Sequence, residues 1–220
     1  MILERLLKDV ELFSDLSERE LKALAAVAAQ KRYARDEFIV RETDPGSAFF
    51  FIVSGRVKVC LYSEDGQETI LSFLSQGDFF GEMALFLEST RTANVVAIEP
   101  TEVLLIHRSQ FYSLLQQNFA ITRKILGTLC RRLKMANFSI DSLAHLDVSG
   151  RLARFLIEEA RASARRQGDY RVIQRYTHLQ LAGKISASRE TVSRLFAQLK
   201  GSGFIVVRRD GIYIHRKFLA

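Results

Sequence analysis

The chain has 220 residues, 48% of them hydrophobic and 26% charged, with a formal net charge of +7 and only two cysteines. That length suits one or two domains with a real core, and no apolar run approaches the roughly 18 residues that a membrane span needs. Glu4, Arg5, Lys8 and Asp9 leave no apolar signal segment, and Cys60 and Cys130 form neither a disulfide framework nor a Cys-x-x-Cys metal pair, so a reducing cytoplasm is the expected compartment.

The charge is uneven. Residues 1–110 hold 12 Lys+Arg against 18 Asp+Glu, a net −6, whereas residues 111–220 hold 20 against 7, a net +13. An acidic front joined to a basic back places any contact with a polyanion in the second half.

In chain order, residues 1–30 read as helical. Leu3, Leu6, Leu7 and Val10 share a face, and Leu16, Leu21, Leu24 and Val27 surround a Ser17–Glu20 capping box. Short apolar runs follow at 37–40, 48–53, 56–62, 68–74, 92–98 and 102–107, split by turn signals such as Asp44-Pro45-Gly46 and Gln76-Gly77-Asp78. These predict an antiparallel sandwich or barrel, with Asp65-Gly66 as a type I′ hairpin turn. Residues 110–145 read as one long helix. Its seam of Leu126, Leu129, Leu133, Ala136, Ile140 and Leu143 favours a coiled-coil dimer over packing within one domain.

Beyond a break at Leu146–Gly150, helix 151–166, a short strand at 171–176, helices at 178–185 and 188–200 and a hairpin over 204–215 follow winged helix-turn-helix order. The chain therefore divides into a β-roll domain with N-terminal helices (1–109), a long dimerisation helix (110–146) and a winged domain (147–220).

Two segments carry the chemistry. At about 100° per residue, Arg189, Glu190, Ser193 and Arg194 fall on one face of a helix, opposite Val192, Leu195, Phe196 and Leu199. Arginine pairs bidentately with guanine and glutamate accepts from cytosine in a major groove. The alternative is a solvated face closed by a Glu190–Arg194 pair. In Gly81–Ala93, Gly81 lets the backbone turn into a short helix, and the N–H groups of Met83 and Ala84 offer a weak anion seat. Arg91 can fork onto that anion, Thr92 adds a hydroxyl, and Glu82 can accept from a sugar 2′-OH. An ordinary Glu82–Arg91 ion pair is the alternative.

With GEMALFLESTRTA at 81–93, LAHLDVSGRLARFL at 143–156 and SRETVSR at 188–194, the whole chain resembles the Crp/Fnr superfamily of cyclic-nucleotide-responsive transcription regulators. The resemblance implies an α+β protein. Its N-terminal antiparallel β-roll (a jelly roll) would bind a cyclic nucleotide. A long helix would pair two subunits and reach the partner's pocket, and a winged helix-turn-helix would bind palindromic double-stranded DNA. It implies Glu82 as ribose ligand and Arg91 and Thr92 as phosphate ligands, with Gly81, Met83 and Ala84 in the cassette backbone. Leu71 and Ser72 would line the pocket, and Arg132, Ala136 and Asn137 would face the ligand from the long helix. Thr177, Ser188, Arg189, Glu190, Thr191, Ser193, Arg194 and Lys200 would meet DNA, and Asp147 would lie near the hinge.

The implied ligand is cyclic AMP with no other cofactor, and RNA polymerase is an implied partner through exposed loops such as Ser163–Asp169. The resemblance departs at three points. Ala136 stands where a hydroxyl contacts adenine in the best-known members, leaving Asn137 for that role. Ser186 stands at a turn that usually carries Gly, and the cassette is one residue shorter before Arg91.

Other classes fit less well. The cysteines leave no N-terminal iron–sulfur set. Of His107, His145, His178 and His215, only His145 beside the hinge stays a candidate haem ligand. The chain lacks a Ser/His/Asp or Cys/His arrangement, metal-ligand spacing and a P-loop, so it reads as a non-enzyme. Remaining alternatives are a roll that answers cyclic di-GMP or no ligand, or a cyclic-nucleotide-binding subunit of an enzyme.

Overall fold

The computed structural model describes Leu7 and residues 11–219. Most of the helix expected before residue 11 therefore lies outside the described residues. The chain forms two compact units, the first of residues up to 63 with 71–134, the second of residues 64–70 with those from 135 onward.

The first unit begins with α1 (Glu18–Val27). Here Ser17 accepts from the Glu20 backbone and Glu20 returns to the Ser17 N–H, so both orphan donors are satisfied. The strands that follow are β1 (Ala29–Tyr33), β2 (Phe38–Val40), β3 (Ala48–Ser54), β4 (Arg56–Tyr62), β5 (Glu68–Ser75), β6 (Phe79–Phe80), β7 (Asn94–Ala97) and β8 (Thr101–His107). They form two four-stranded sheets in the orders β1-β8-β3-β6 and β2-β7-β4-β5. Antiparallel register runs Phe49↔Ile106 to Ile52↔Val103 in one and Val57↔Ala97 to Cys60↔Asn94 in the other.

Strand periodicity explains why β3 is apolar on both faces. Phe49 and Phe51, with Leu104 and Ile106 of β8, join Leu21 and Leu24 of α1 in a core between sheet and helices. Phe50 and Ile52, with Val103 and Leu105, join Val57, Leu74, Phe80 and Val95 in a core between the two sheets. A strand buried on both faces has no polar alternation to show.

Helix α2 (Glu82–Phe86) lies between β6 and β7; α3 (Arg108–Gln117) and α4 (Phe119–His145) follow β8. The expected single helix over 110–145 is thus two. Asn118 leaves helical geometry at φ −132°, ψ 87°, and its side-chain amide donates to the Leu114 carbonyl. Thr122 binds the Leu115 carbonyl across the break. Phe111, Ile121 and Ile125 then cover the sheet, and Phe111 stacks on Phe49 at 4.3 Å between ring centroids.

The β4–β5 turn also differs from expectation. Gly66 has φ +74°, but Asp65 is not among the residues of positive φ, as a type I′ turn requires at both central positions. Five residues separate the two strands, and a loop of that length needs only one left-handed glycine.

In the second unit, α5 (Val148–Ala162), α6 (His178–Ile185) and α7 (Arg189–Gly201) pack with β9 (Arg166–Gln167), β10 (Tyr170–Ile173), β11 (Ile205–Arg208) and β12 (Gly211–His215). Leu152 and Leu156, Leu181 and Ile185, and Val192 and Phe196 supply buried faces of the three helices. The strands pair in the order β11-β12-β10-β9, so the C-terminal hairpin continues a small sheet beside the helix-turn-helix. Ser186, between α6 and α7, takes the left-handed conformation at φ +51°. Its carbonyl and that of Ile185 accept from Arg151, whose remaining terminal nitrogen binds the Leu146 carbonyl at 3.0 Å. One arginine thus fastens the strained turn to the break between α4 and α5.

Candidate ligand pocket and nucleic-acid interface

Arg91 is pinned along its backbone before its side chain is placed. Its N–H donates to the Asp44 carbonyl and its own carbonyl accepts from the Thr43 N–H, both at 2.9 Å. The side chain turns inward and is 6% exposed. One terminal nitrogen donates to the Gly81 carbonyl at 2.9 Å and the other to the Ala48 carbonyl at 2.7 Å. Phe50 lies 5.4 Å from the guanidinium carbon. Burial pushes the guanidinium below its ordinary pKa, and the Asp44 and Glu82 carboxylates oppose that shift through space. Among the described residues Arg91 makes no ion pair. A buried cation held by carbonyl dipoles alone gains from an incoming anion.

Glu82, 5% exposed, is paired elsewhere. Arg132 of α4 donates to its carboxylate at 3.0 Å and to the Phe79 carbonyl at 2.5 Å, with the guanidinium 4.6 Å from the Phe79 ring. The Glu82–Arg91 pair that would leave an inert site is therefore not formed, and three of the expected ligands converge on α2.

Gly81 is required twice. It sits at φ +87°, and a Cβ there would fall 2.6 Å from the Arg91 guanidinium. Thr92 is exposed, its hydroxyl 3.8 Å from the Met83 sulfur, while Ala84 is buried. Leu71 is exposed and Ser72 half-buried on β5, and Ala136 and Asn137 are exposed on α4.

Two anchors have no signature in the sequence. Arg108 donates to the Gly46 carbonyl at 2.9 Å and to the Ala84 carbonyl at 3.4 Å, and the Tyr112 hydroxyl donates to the Leu85 carbonyl. Both lie on α3, so an element distant in sequence fixes the cassette helix. Each of these contacts goes to a backbone carbonyl, which carries no residue identity.

On α7, Arg189, Glu190 and Arg194 are exposed and Ser193 and Thr191 half-buried, while Val192 and Phe196 are buried. No Glu190–Arg194 ion pair forms among the described residues, which leaves both side chains free of the contact that would neutralise the face. Ser188 caps the helix, accepting from the Thr191 N–H at 3.1 Å, and Lys200 is exposed in the last turn. Thr177 caps α6 in the same way, accepting from the Gln180 N–H. Ser193 meets His178, a residue not expected at this interface. Asp147 caps α5 through the Gly150 N–H at 2.7 Å, two residues after α4 ends.

Residues 30–118 match the cyclic nucleotide-binding domain family and residues 150–217 the Crp-like helix-turn-helix domain family. The chain is 30% identical over 199 residues to the CRP-like cAMP-activated global transcriptional regulator of Mycobacterium tuberculosis, covering 89% of each chain. It is 31% identical over 199 residues to the cyclic AMP receptor protein of Thermus thermophilus, covering 90% of this chain and 89% of that one. The c-di-GMP responsive global regulator CLP of Xanthomonas campestris shares the fold, with a TM-score of 0.73 at 24% identity over 90% of this chain and 99% of that one. No helix among the described residues is long and apolar enough to cross a membrane. With a buried Arg91 held by carbonyls alone in the roll, exposed arginines on the helix-turn-helix and about 30% identity along most of its length, the chain belongs to the Crp/Fnr superfamily of transcription regulators.

Proposed function

We propose that the protein is a homodimeric, sequence-specific DNA-binding regulator whose roll takes a cyclic nucleotide, with cyclic AMP as the ligand. One observation carries the ligand reading: the buried Arg91 guanidinium is held by two carbonyls and by no carboxylate. A cyclic phosphate would complete it, with Thr92 as a second contact. The adjacent Glu82, paired with Arg132, would accept from the ribose 2′-OH. Gly81, Met83, Ala84, Leu71 and Ser72 would enclose the ligand, and Asn137 of the partner subunit would supply a base contact that Ala136 cannot make. Ala136 favours a second reading on one point, base identity, so cyclic GMP and cyclic di-GMP belong in any ligand series.

Dimerisation is supported by the face of α4. Leu126, Leu133, Ile140 and Leu143 are 55%, 64%, 65% and 53% exposed, an apolar stripe that water does not favour and a second copy of the helix would cover. The domain division would then be a roll at 1–109, a dimer segment at 110–146 and a DNA-binding domain from 147. Two α7 helices would enter successive major grooves about 34 Å apart on a palindromic site. Exposed residues of 163–169 would face RNA polymerase, and the protein would work in the cytoplasm beside its DNA.

Sedimentation equilibrium tests the dimer. Wild type is expected at twice the chain mass. Leu133→Glu with Ile140→Glu, which puts four carboxylates into the seam, is expected at the chain mass with its roll still folded. A wild type that remains monomeric at tens of micromolar would remove the two-fold reading.

A further inference from the structure

Thr43 has a φ of +71°, a left-handed conformation that a β-branched residue rarely adopts. Strain of that kind persists only where surrounding contacts hold it, and it collects at ligand clamps. The contacts here run to the arginine of the pocket. The Thr43 N–H donates to the Arg91 carbonyl, the Arg91 N–H donates to the Asp44 carbonyl, and Pro45 pairs with Thr90. Residues 43–46 therefore form a clasp along the backbone that carries Arg91.

The far end of the clasp is fixed by Arg108, the first residue of α3. Its N–H donates to the Ser47 carbonyl at 3.0 Å. One terminal nitrogen of its side chain donates to the Gly46 carbonyl at 2.9 Å and to the Ala84 carbonyl at 3.4 Å. Arg91 spans the same two segments, from the Ala48 carbonyl to that of Gly81. The fit between them is close: a Cβ on Gly46 would fall 2.5 Å from both the Ala84 Cβ and the Ser89 carbonyl oxygen. After burial, the Arg108 charge is a further push on Arg91 below its ordinary pKa. An anion arriving at Arg91 therefore also relieves repulsion between the two cations.

We propose that Arg108 is a positioning residue of the ligand site, locking the strained 43–46 clasp against α2 so that Arg91 stays aimed at the phosphate. Arg108 needs no contact with the ligand and acts through Arg91. This inference rests on the reading of the roll as a cyclic nucleotide site. Without Arg108 the Gly46 and Ala84 carbonyls lose the donor they share. Thr43 can then relax to negative φ, drawing its N–H off the Arg91 carbonyl. A ligand that must restore the clasp before it binds does so with lower affinity, the ordinary consequence of lost preorganisation.

The test is calorimetry with cyclic AMP on the full-length protein, beside thermal unfolding without ligand. Arg108→Gln is expected to weaken binding by about tenfold, equivalent to about 1.4 kcal/mol. Arg108→Lys, which keeps the charge and one bond to a carbonyl, should come within about threefold of wild type. Thr43→Gly should raise the ligand-free melting temperature, because glycine takes a positive φ without strain. Its affinity should stay within about twofold of wild type, since Arg108 still holds the clasp. In the double variant the loss caused by Arg108→Gln should shrink to about threefold, because an unstrained clasp needs less holding. Undiminished affinity in Arg108→Gln would overturn the proposal, as would a loss that Thr43→Gly leaves unchanged, or no gain in melting temperature from Thr43→Gly. Should Arg108→Gln not fold, the comparison is made on Arg108→Lys: weakened binding that Thr43→Gly restores supports the lock, and an effect it does not alter overturns it. A wild type that gives no heat with cyclic AMP overturns the cyclic AMP reading, and this proposal with it; the contrary results in a protein that binds overturn this proposal alone.

Discussion

Arg91→Gln is expected to weaken cyclic nucleotide binding by about 100-fold or more. Truncating one partner of a buried, hydrogen-bonded charge pair costs about 2–5 kcal/mol, and each 1.4 kcal/mol is a factor of ten in affinity. The free protein should suffer less. Its guanidinium is already desolvated and donates to the Gly81 and Ala48 carbonyls. Glutamine removes the buried charge, and its amide can still donate to one carbonyl, leaving the other unpaired at about 1–3 kcal/mol. Calorimetry with cyclic AMP, beside thermal unfolding without ligand, separates the two effects. Lost ligand heat with a small change in melting temperature assigns Arg91 to the ligand. Undiminished heat with a lowered melting temperature would make it a structural brace.

Arg189→Ala is expected to relax sequence preference at one base pair of each half-site. A bidentate arginine–guanine contact discriminates by about 1–3 kcal/mol. Two half-sites double that to about 2–6 kcal/mol of lost specificity for the dimer, while binding to scrambled DNA falls only by the loss of one cation per subunit. Arg194→Ala should act likewise at a second position and Glu190→Ala at a third. Competition between selected and scrambled duplexes measures the ratio directly. An unchanged ratio in Arg189→Ala would mean that this helix does not read bases.

Elements with a strong local signal were legible in the sequence. Strand β4 stands at the bounds its alternation predicts, and the Ser17–Glu20 box caps α1, because both patterns are set by residues adjacent in sequence. Strand β1 was missed. Its Ala-Gln-Lys-Arg-Tyr sequence is exposed throughout except at Tyr33, and only pairing with β8 at the sheet edge makes it a strand. Asn118 broke the long helix because its amide competes for a backbone carbonyl, an option that a pattern of apolar residues does not register.

The sites follow the same division. Glycine, arginine and glutamate marked the cassette in which Glu82 and Arg91 lie buried, and the periodicity of α7 separated Arg189 and Arg194 from Val192 and Phe196. Invisible were the partners chosen by tertiary proximity: Arg132 for Glu82, Arg108 and Tyr112 for the cassette carbonyls, and His178 for Ser193. Each joins residues at least 15 positions apart, beyond the reach of helical or strand periodicity.

The most direct test of ligand-controlled DNA reading is the affinity of the full-length protein for its selected two-fold duplex, measured without ligand and at saturating cyclic AMP, cyclic GMP and cyclic di-GMP. A ligand can shift the DNA-binding equilibrium only by its different affinity for the two states. One cyclic nucleotide should therefore tighten specific binding by about tenfold or more, and Arg91→Gln should not respond. Identical affinity for the selected duplex under all four conditions, in a protein that calorimetry shows to be loaded, would contradict it.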